Sequence, residues 1–385
     1  MREVPSEIDR LAAEVAEDFY NRGIKQYEIA EALGVPACQV SRLLKHANET
    51  GIVKHVVDVD RVYTNIERDD ALERAVTTRY MLTKTMVVKT DSVKGVAEEK
   101  DHRIHQLLGA AAAPYFKNLL KRNDHVGVSG GRGPYFLSES LRLLRIRNDL
   151  RGVSQANVRI TSLCGSSFDA MKQTTHQNIP LDADTVTLNM SRAFIFHCDP
   201  VPVAASLVNE PTVTKRILNS RAKNITTAHW QEDAANHPSI ALIGIGSFDF
   251  QYQTFSRANT RVVESIKPIL DKLKGAGEKL RGVLGYFPIG DVCNRLFYME
   301  PEQPGLLNDE YRRLVTEVKQ MIESLNERIL TVEFDQLKNV DLVVVIAGGN
   351  YKKHAIRHVL ADPAMEGIID ALITDDKTAE YLLSA

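Results

Sequence analysis

From Thr85 onward the chain alternates short runs of β-branched and aliphatic residues with amphipathic helical stretches, and that alternation leaves few folds open. It is the pattern of an α/β layer fold with a mostly parallel sheet. The expected strands are Thr85–Lys89, His125–Ser129, Val158–Ser162, Ala193–His197, Ile240–Ile245, Gly282–Phe287, Arg328–Phe334, Leu342–Ala347 and Ala371–Thr374, with helices filling most of the gaps. No internal repeat or low-complexity tract interrupts them.

At 385 residues the chain has room for two or three domains. Its 48 Lys and Arg stand against 50 Asp and Glu, a net charge of -2, which excludes a histone-like polycation. A composition of 44% hydrophobic and 25% charged residues is that of an ordinary globular protein. The opening MREVPSEIDRLAAEVAEDF is amphipathic and acidic, unlike a signal peptide, and no stretch approaches the roughly 20 apolar residues of a spanning helix. A cytoplasmic location without membrane attachment is expected. Cys38, Cys164, Cys198 and Cys293 are widely spaced, with neither zinc-ligand spacing nor a disulfide framework. Reduced thiols, no metal and no cofactor are therefore expected.

Ahead of the α/β region lies a three-helix unit. Ile8, Leu11, Ala12, Val15, Ala16 and Phe19 recur at helical spacing between Pro5 and Arg22; a short helix follows from Gln26 to Leu33, and a third from Pro36 to about Thr50, closed by Gly51. In GIKQYEIAEALGVPACQVSRLLKHANETGIV the placing of Ala30, Gly34 and Val40 is that of a helix-turn-helix. Ala30 allows close helix approach, Gly34 takes the left-handed turn, and Val40, Leu43 and Leu44 pack the second helix back. Ala37, Cys38, Gln39, Ser41, Arg42 and Lys45 fall on or near the exposed face that such a helix offers to a major groove. Gln39 and Arg42 suit adenine and guanine edges, whereas Gln26 and Lys45 suit phosphates. Arg42, Lys45, His46, Lys54 and His55 form a local basic patch against Glu49 alone, while Glu14, Glu17 and Asp18 keep the first helix off the phosphates. A plain helical hairpin for protein contacts is the competing reading. One head alone binds DNA weakly, so a homo-oligomer, dimer or tetramer, is implied. The resulting division is a head at 1–60, a linker helix and candidate oligomer seam at 61–84, and a body at 85–385.

The blocks QYEIAEALGVPACQVSRLLKHANETGIV, VGVSGGRGPYFLSESL, LIGIGSFD, GDVCNRLF, VVVIAGGNYKKHAI and ALITDDKTAEYLL, in that order, resemble the SorC family (SorC/DeoR type) of sugar-responsive transcriptional regulators over nearly the whole chain. The resemblance implies a body related to glucosamine-6-phosphate deaminase and ribose-phosphate isomerase, a sugar or sugar-phosphate effector, a double-stranded DNA operator and usually a tetramer. It also exposes two departures. Gly133 stands where family members commonly carry Thr or Ser, and YMEPEQPGLLNDEYRRLVTEVKQMIESLNE is an insertion. Its Leu314, Val315, Val318, Met321, Ile322 and Leu325 form an apolar stripe that needs a partner in the same or another subunit.

The effector site is expected beyond the carboxyl ends of the strands, where open parallel sheets hold ligands. Ser129, Gly130, Gly131 and Arg132 make a strand–glycine–helix turn whose backbone N–H groups and helix dipole suit an anion, although simple turn geometry accounts for the glycines equally well. Arg132 either contacts the ligand's phosphate or forms a salt bridge outside the pocket. Gly165, Ser166 and Asp249 follow two further strands and would line the same crevice, Asp249 alternatively serving as a helix cap. Asp291, matched to the family block, suits sugar hydroxyls. Lys352, after Gly348 and Gly349 and on a first helical turn, would reach a phosphate, with Lys353 facing solvent. His197, Cys198 and Trp230 receive no role. The enzyme alternative, a sugar-phosphate isomerase or deaminase, leaves the head unexplained and finds no catalytic acid–base pair, so no catalytic residue is expected.

Overall fold

The computed structural model describes residues 6–21, 24–53, 66–146, 158–164, 181–194, 197–198, 238–247, 289–299, 309–329 and 331–384. The expected strand at 282–287, the candidates Gly165, Ser166 and Asp249, and Trp230 lie outside the described residues. The chain divides into two compact units, Met1–Val62 and Tyr63–Ala385.

The first unit is all helical. Helix α1 (Glu7–Ala16) begins in a capping box between Ser6 and Asp9 and ends in a π-helical turn, Glu17–Asn21. Helix α2 (Gln26–Leu33) ends at Gly34, whose φ of 64° is the left-handed cap the turn requires, and α3 (Ala37–Glu49) follows Pro36. Val15, Ile29, Ala30, Val40, Leu43 and Leu44 close a small core between the three helices.

The second unit is built on a seven-stranded, wholly parallel sheet. Its strands are β1 (Lys84–Val88), β2 (His125–Val128), β3 (Arg159–Ser162), β4 (His197–Cys198), β5 (Ile240–Ile243), β9 (Leu342–Ile346) and β10 (Ala371–Asp375), in the order β1-β10-β9-β5-β2-β3-β4. A second, three-stranded antiparallel sheet comprises β6 (Ile245–Ser247), β7 (Ile289–Val292) and β8 (Arg295–Tyr298). Strands buried on both faces read as unbroken aliphatic runs, and β9, LVVVI, is the clearest. Its residues alternate between two cores. Val344 and Ile346 join α5 (Ala97–Leu119), α6 (Arg132–Ile146) and α7 (Ala183–Phe194) on one face; Val343 and Val345 join α10 (Lys353–Ala361), α11 (Asp376–Leu383) and the small sheet on the other. Each fully buried aliphatic side chain contributes roughly 1.5–3 kcal/mol, so the two cores hold the sheet rigid beneath its loops.

Several expectations need correction. The stretch read as a strand at 193–197 ends helix α7 at Phe194, leaving only His197 and Cys198 in β4. In the stretch at 328–334, Ile329 and Thr331 each form a β-bridge, Thr331 with Cys164, before helix α9 (Phe334–Lys338) begins. Ile240–Ile245 splits at Gly244, because β5 belongs to the large sheet and β6 to the small one. The helix within 61–84, α4 (Asp70–Arg79), is docked on the body: Val76 is wholly buried, Glu73 accepts the Val87 N–H at 3.0 Å, and Tyr80 donates to the Leu382 carbonyl. The inserted helix α8 (Asp309–Asn326) turns Val315, Val318, Ile322 and Leu325 inward and packs on β8, where the Asn326 side chain bonds both backbone groups of Leu296. Its stripe is covered within the same chain. Among the described residues no helix is long and apolar enough to cross a membrane.

Candidate functional site

In the parallel sheet, β2 and β5 are neighbours whose chains then leave in opposite directions, toward β3 and toward β9. A crevice therefore opens beyond their carboxyl ends. The two loops are tied together there: Ser129 accepts the Gly244 N–H at its hydroxyl (3.1 Å) and donates its own N–H to Leu242. Gly131, at φ 114°, lets the chain turn into α6. Gly133 lies so close to β9 that a Cβ there would stand 2.0 Å from the Ile346 carbonyl oxygen. Glycine at position 133 is thus a packing requirement of this chain.

The expected glycine cradle is largely used up by the protein itself. Gly131 donates to the Leu181 carbonyl, Gly349 donates to the Asp375 carboxylate at 2.6 Å, and the Gly130 N–H points at the Cys164 sulfur. The opening turn of α6, at Arg132 and Gly133, still presents N–H groups and a positive dipole end. The two buried thiols beside this loop are packing groups: burial pushes Cys164 up to about 12 and raises Cys293 as well.

Charged side chains take the cradle's place. Asp291 is 6% exposed and Lys352 8%. Asp291 sits on β7 opposite Gly246, the register neighbour whose missing side chain leaves room for the carboxylate. One carboxylate oxygen accepts the Asn294 N–H at 3.2 Å, and the other, Oδ1, has no hydrogen-bond partner among the described residues. Burial pushes the carboxyl up to about 7, against the Asn294 N–H and the charge of Lys352. Lys352 caps α10, and burial together with Arg132 brings it down to about 7 against the pull of Asp291. Arg132 is paired, with the buried Asp101 of α5, whose carboxylate also receives the Tyr351 hydroxyl at 3.1 Å. His105, one turn further along α5 and wholly buried, stands 3.2 Å from Lys352 Nζ; burial, then Lys352, holds it well below the usual imidazole range. Lys353, expected in solvent, bonds Asn350 at 2.7 Å and lies over the Tyr381 ring.

Of the expected effector residues, the structure thus brings together Ser129, Gly130, Gly131, Arg132, Asp291, Gly348, Gly349 and Lys352. Asp101, His105 and Tyr351 were not foreseen. The only signal was an Asp and a His four apart on the apolar face of α5.

On the head, Ala37, Cys38, Gln39, Ser41, Arg42 and Lys45 are exposed and Gln26 half-buried. The basic patch is smaller than the sequence suggests, because His46 bonds Asp9 of α1 at 2.8 Å and Lys45 pairs with Glu49 at 3.6 Å. Lys54 and His55 lie outside the described residues. Among the described residues no group of His, Cys, Asp or Glu could hold a metal ion.

A helix-turn-helix unit joined to a parallel α/β body with a charged crevice at its switch point defines the class of ligand-responsive transcriptional regulators. Residues 64–280 and 319–384 match the family model described as "Putative sugar-binding domain". The chain is 23% identical over 380 residues to the deoxyribonucleoside regulator of Bacillus subtilis (strain 168), covering 98% of each. It is also 23% identical over 374 residues to the sorbitol operon regulator of Klebsiella pneumoniae, covering 97% of this chain and 98% of that one. The crystal structure of full-length SorC from Klebsiella pneumoniae superposes with a TM-score of 0.54 at 21% identity, over 98% of this chain and all of that one. The chain belongs to the SorC family of sugar-binding transcriptional regulators. It is a transcriptional regulator, the role that the names of both relatives carry. Residues 281–318, with Asp291 and the first half of α8, lie outside the family match.

Proposed function

We propose that the crevice at Arg132, Asp291 and Lys352 binds a sugar or polyol carrying a phosphate, and that binding resets the head's affinity for the operator of a carbohydrate or polyol catabolic operon. The observation that carries this reading is Asp291: a carboxylate more than nine-tenths buried whose Oδ1 lacks a partner among the described residues, within electrostatic reach of a buried lysine. Such a group is costly unless something completes it, and sugar hydroxyls donate the missing hydrogen bonds. Lys352 and the opening of α6 supply the positive charge for the phosphate. Gln39 and Arg42 read base edges while Gln26 and Lys45 hold phosphates, with Ala37, Cys38 and Ser41 lining the same face. The relatives named as sorbitol operon and deoxyribonucleoside regulators support a ligand of the sugar or polyol class. One head offers few phosphate contacts, so a dimer or tetramer is the acting species.

The test is a thermal-shift screen of phosphorylated sugars and polyols against the parent, Asp291→Ala and Lys352→Ala. Both variants should lose the shift that the best compound gives the parent. A variant that keeps it would show its residue to be a surface or helix-end group.

A further inference from the structure

His105 is wholly buried, and both of its ring nitrogens have a neighbour. Nδ1 lies 2.8 Å from the carbonyl oxygen of Asp101, and Nε2 lies 3.2 Å from Lys352 Nζ. A carbonyl oxygen only accepts, so the hydrogen is on Nδ1. That leaves Nε2 with a bare lone pair, and an ammonium has only donors, so Lys352 donates to His105. The same turn of α5 spends the Asp101 carboxylate on Arg132 and on the Tyr351 hydroxyl. One helical turn therefore holds both cations of the crevice, Arg132 through a side chain and Lys352 through a ring whose tautomer the backbone fixes.

We propose that His105 is a positioning residue of the effector site: locked as the Nδ1–H tautomer, it takes one hydrogen of the Lys352 ammonium and aims the other two at the ligand's phosphate. This rests on the crevice being the effector site. The charged and titratable groups facing Lys352 are His105 from α5, Arg132 from α6, Asp291 from β7 and Tyr351 from its own loop; the ring is faced by the Asp101 carboxylate, whose Oδ1 lies 3.4 Å from Nδ1 and is likewise only an acceptor, and by His102 and Asp375.

Two measurements on the full-length protein test it. In the first, histidine rings are labelled with nitrogen-15 and their nitrogens correlated with ring protons, His105 being assigned by its loss in His105→Gln. The expected spectrum is one Nδ1–H tautomer that does not titrate between pH 6 and 8, with Lys352→Met moving Nε2. An Nε2–H tautomer, an imidazolium, or an Nε2 signal indifferent to Lys352→Met overturns the proposal. In the second, inorganic phosphate is titrated by calorimetry into the parent, His105→Leu and His105→Gln across pH 6 to 9. Leucine fills similar space but accepts nothing, so phosphate should bind about tenfold or more weakly, and the pH at which affinity falls should move lower. Glutamine, whose side-chain carbonyl accepts, should recover most of both. A leucine variant with the parent's affinity and pH profile overturns the positioning role. If the parent binds no phosphate, the reading of the crevice as a phosphate site fails, and the ring spectrum still decides whether His105 holds Lys352.

Discussion

Replacing Asp291 by asparagine should make the body more stable and the effector weaker at once. In the parent the carboxylate is 6% exposed, Oδ2 accepts the Asn294 N–H and Oδ1 has no partner among the described residues; burial raises the group from 3.8 to about 7. One pK unit corresponds to about 1.4 kcal/mol, so holding the charge at pH 7 and above costs roughly 4 kcal/mol. Asparagine carries no charge but leaves an amide group unpaired where Oδ1 now stands, a loss of about 1–3 kcal/mol. The balance is a gain of about 1–3 kcal/mol, or about 2–6 °C in Tm at the lower sensitivity of large domains. The gain depends on pH in a definite direction. Because the folded-state pKa is raised, the parent is at its best below the unfolded value near 3.8 and loses stability as pH climbs toward 7. The variant has no such loss, so the gap swings by roughly 4 kcal/mol, from a variant about 1–3 kcal/mol less stable than the parent near pH 4 to one about 1–3 kcal/mol more stable at pH 7.5. Thermal unfolding followed by circular dichroism at pH 4, 6 and 7.5, without ligand, measures it. A variant less stable than the parent at pH 7.5, or a difference independent of pH, would refute the picture of an uncompensated buried carboxylate.

Arg42→Ala should weaken operator binding by about 1–3 kcal/mol and relax sequence preference, whereas Lys45→Ala should weaken specific and random DNA alike; anisotropy titrations on both duplexes distinguish the two. A chain from residue 66 to the C-terminus should fold and keep the parent's oligomeric state, since it carries both cores of the body; an insoluble fragment, or a monomer where the parent is oligomeric, would count against it. Gly133→Thr, which restores the commoner family residue, should destabilise the body by about 1–3 kcal/mol or more in urea unfolding, because the new Cβ meets the Ile346 carbonyl. Unchanged stability would mean that α6 can move off β9.

The large sheet was legible because parallel strands buried on both faces leave continuous aliphatic runs, as at Leu342–Ile346. The helix-turn-helix was legible because its turn needs a glycine, and Gly34 is there. The small sheet was not. Its hairpin turns at Cys293 and Asn294, both with positive φ, the I′ form that usually advertises itself by Asn-Gly. Without a glycine the signal vanished, and Asp291, expected in a loop, lies in strand β7. ILTVEF at 329–334 alternates like a strand, and Ile329 and Thr331 do form bridges, yet Glu333 caps a helix that begins at Phe334. Lys352 could be found because it follows a glycine loop after a strong strand. His105 and Asp101 could not, because a polar pair within an apolar stripe takes its meaning from Lys352 and Arg132, which arrive from other parts of the chain.

The most direct measurement is operator affinity with and without effector. Fluorescence anisotropy with the duplex upstream of the protein's own operon, repeated at saturating sugar phosphate, gives the factor by which the ligand shifts DNA binding. Calorimetry of that ligand with and without the duplex gives the reverse factor. Linkage makes the two equal. The account predicts equal factors different from one in the parent, and a factor of one in Asp291→Ala and Lys352→Ala with DNA binding intact. Operator binding indifferent to every ligand that the body binds would contradict it.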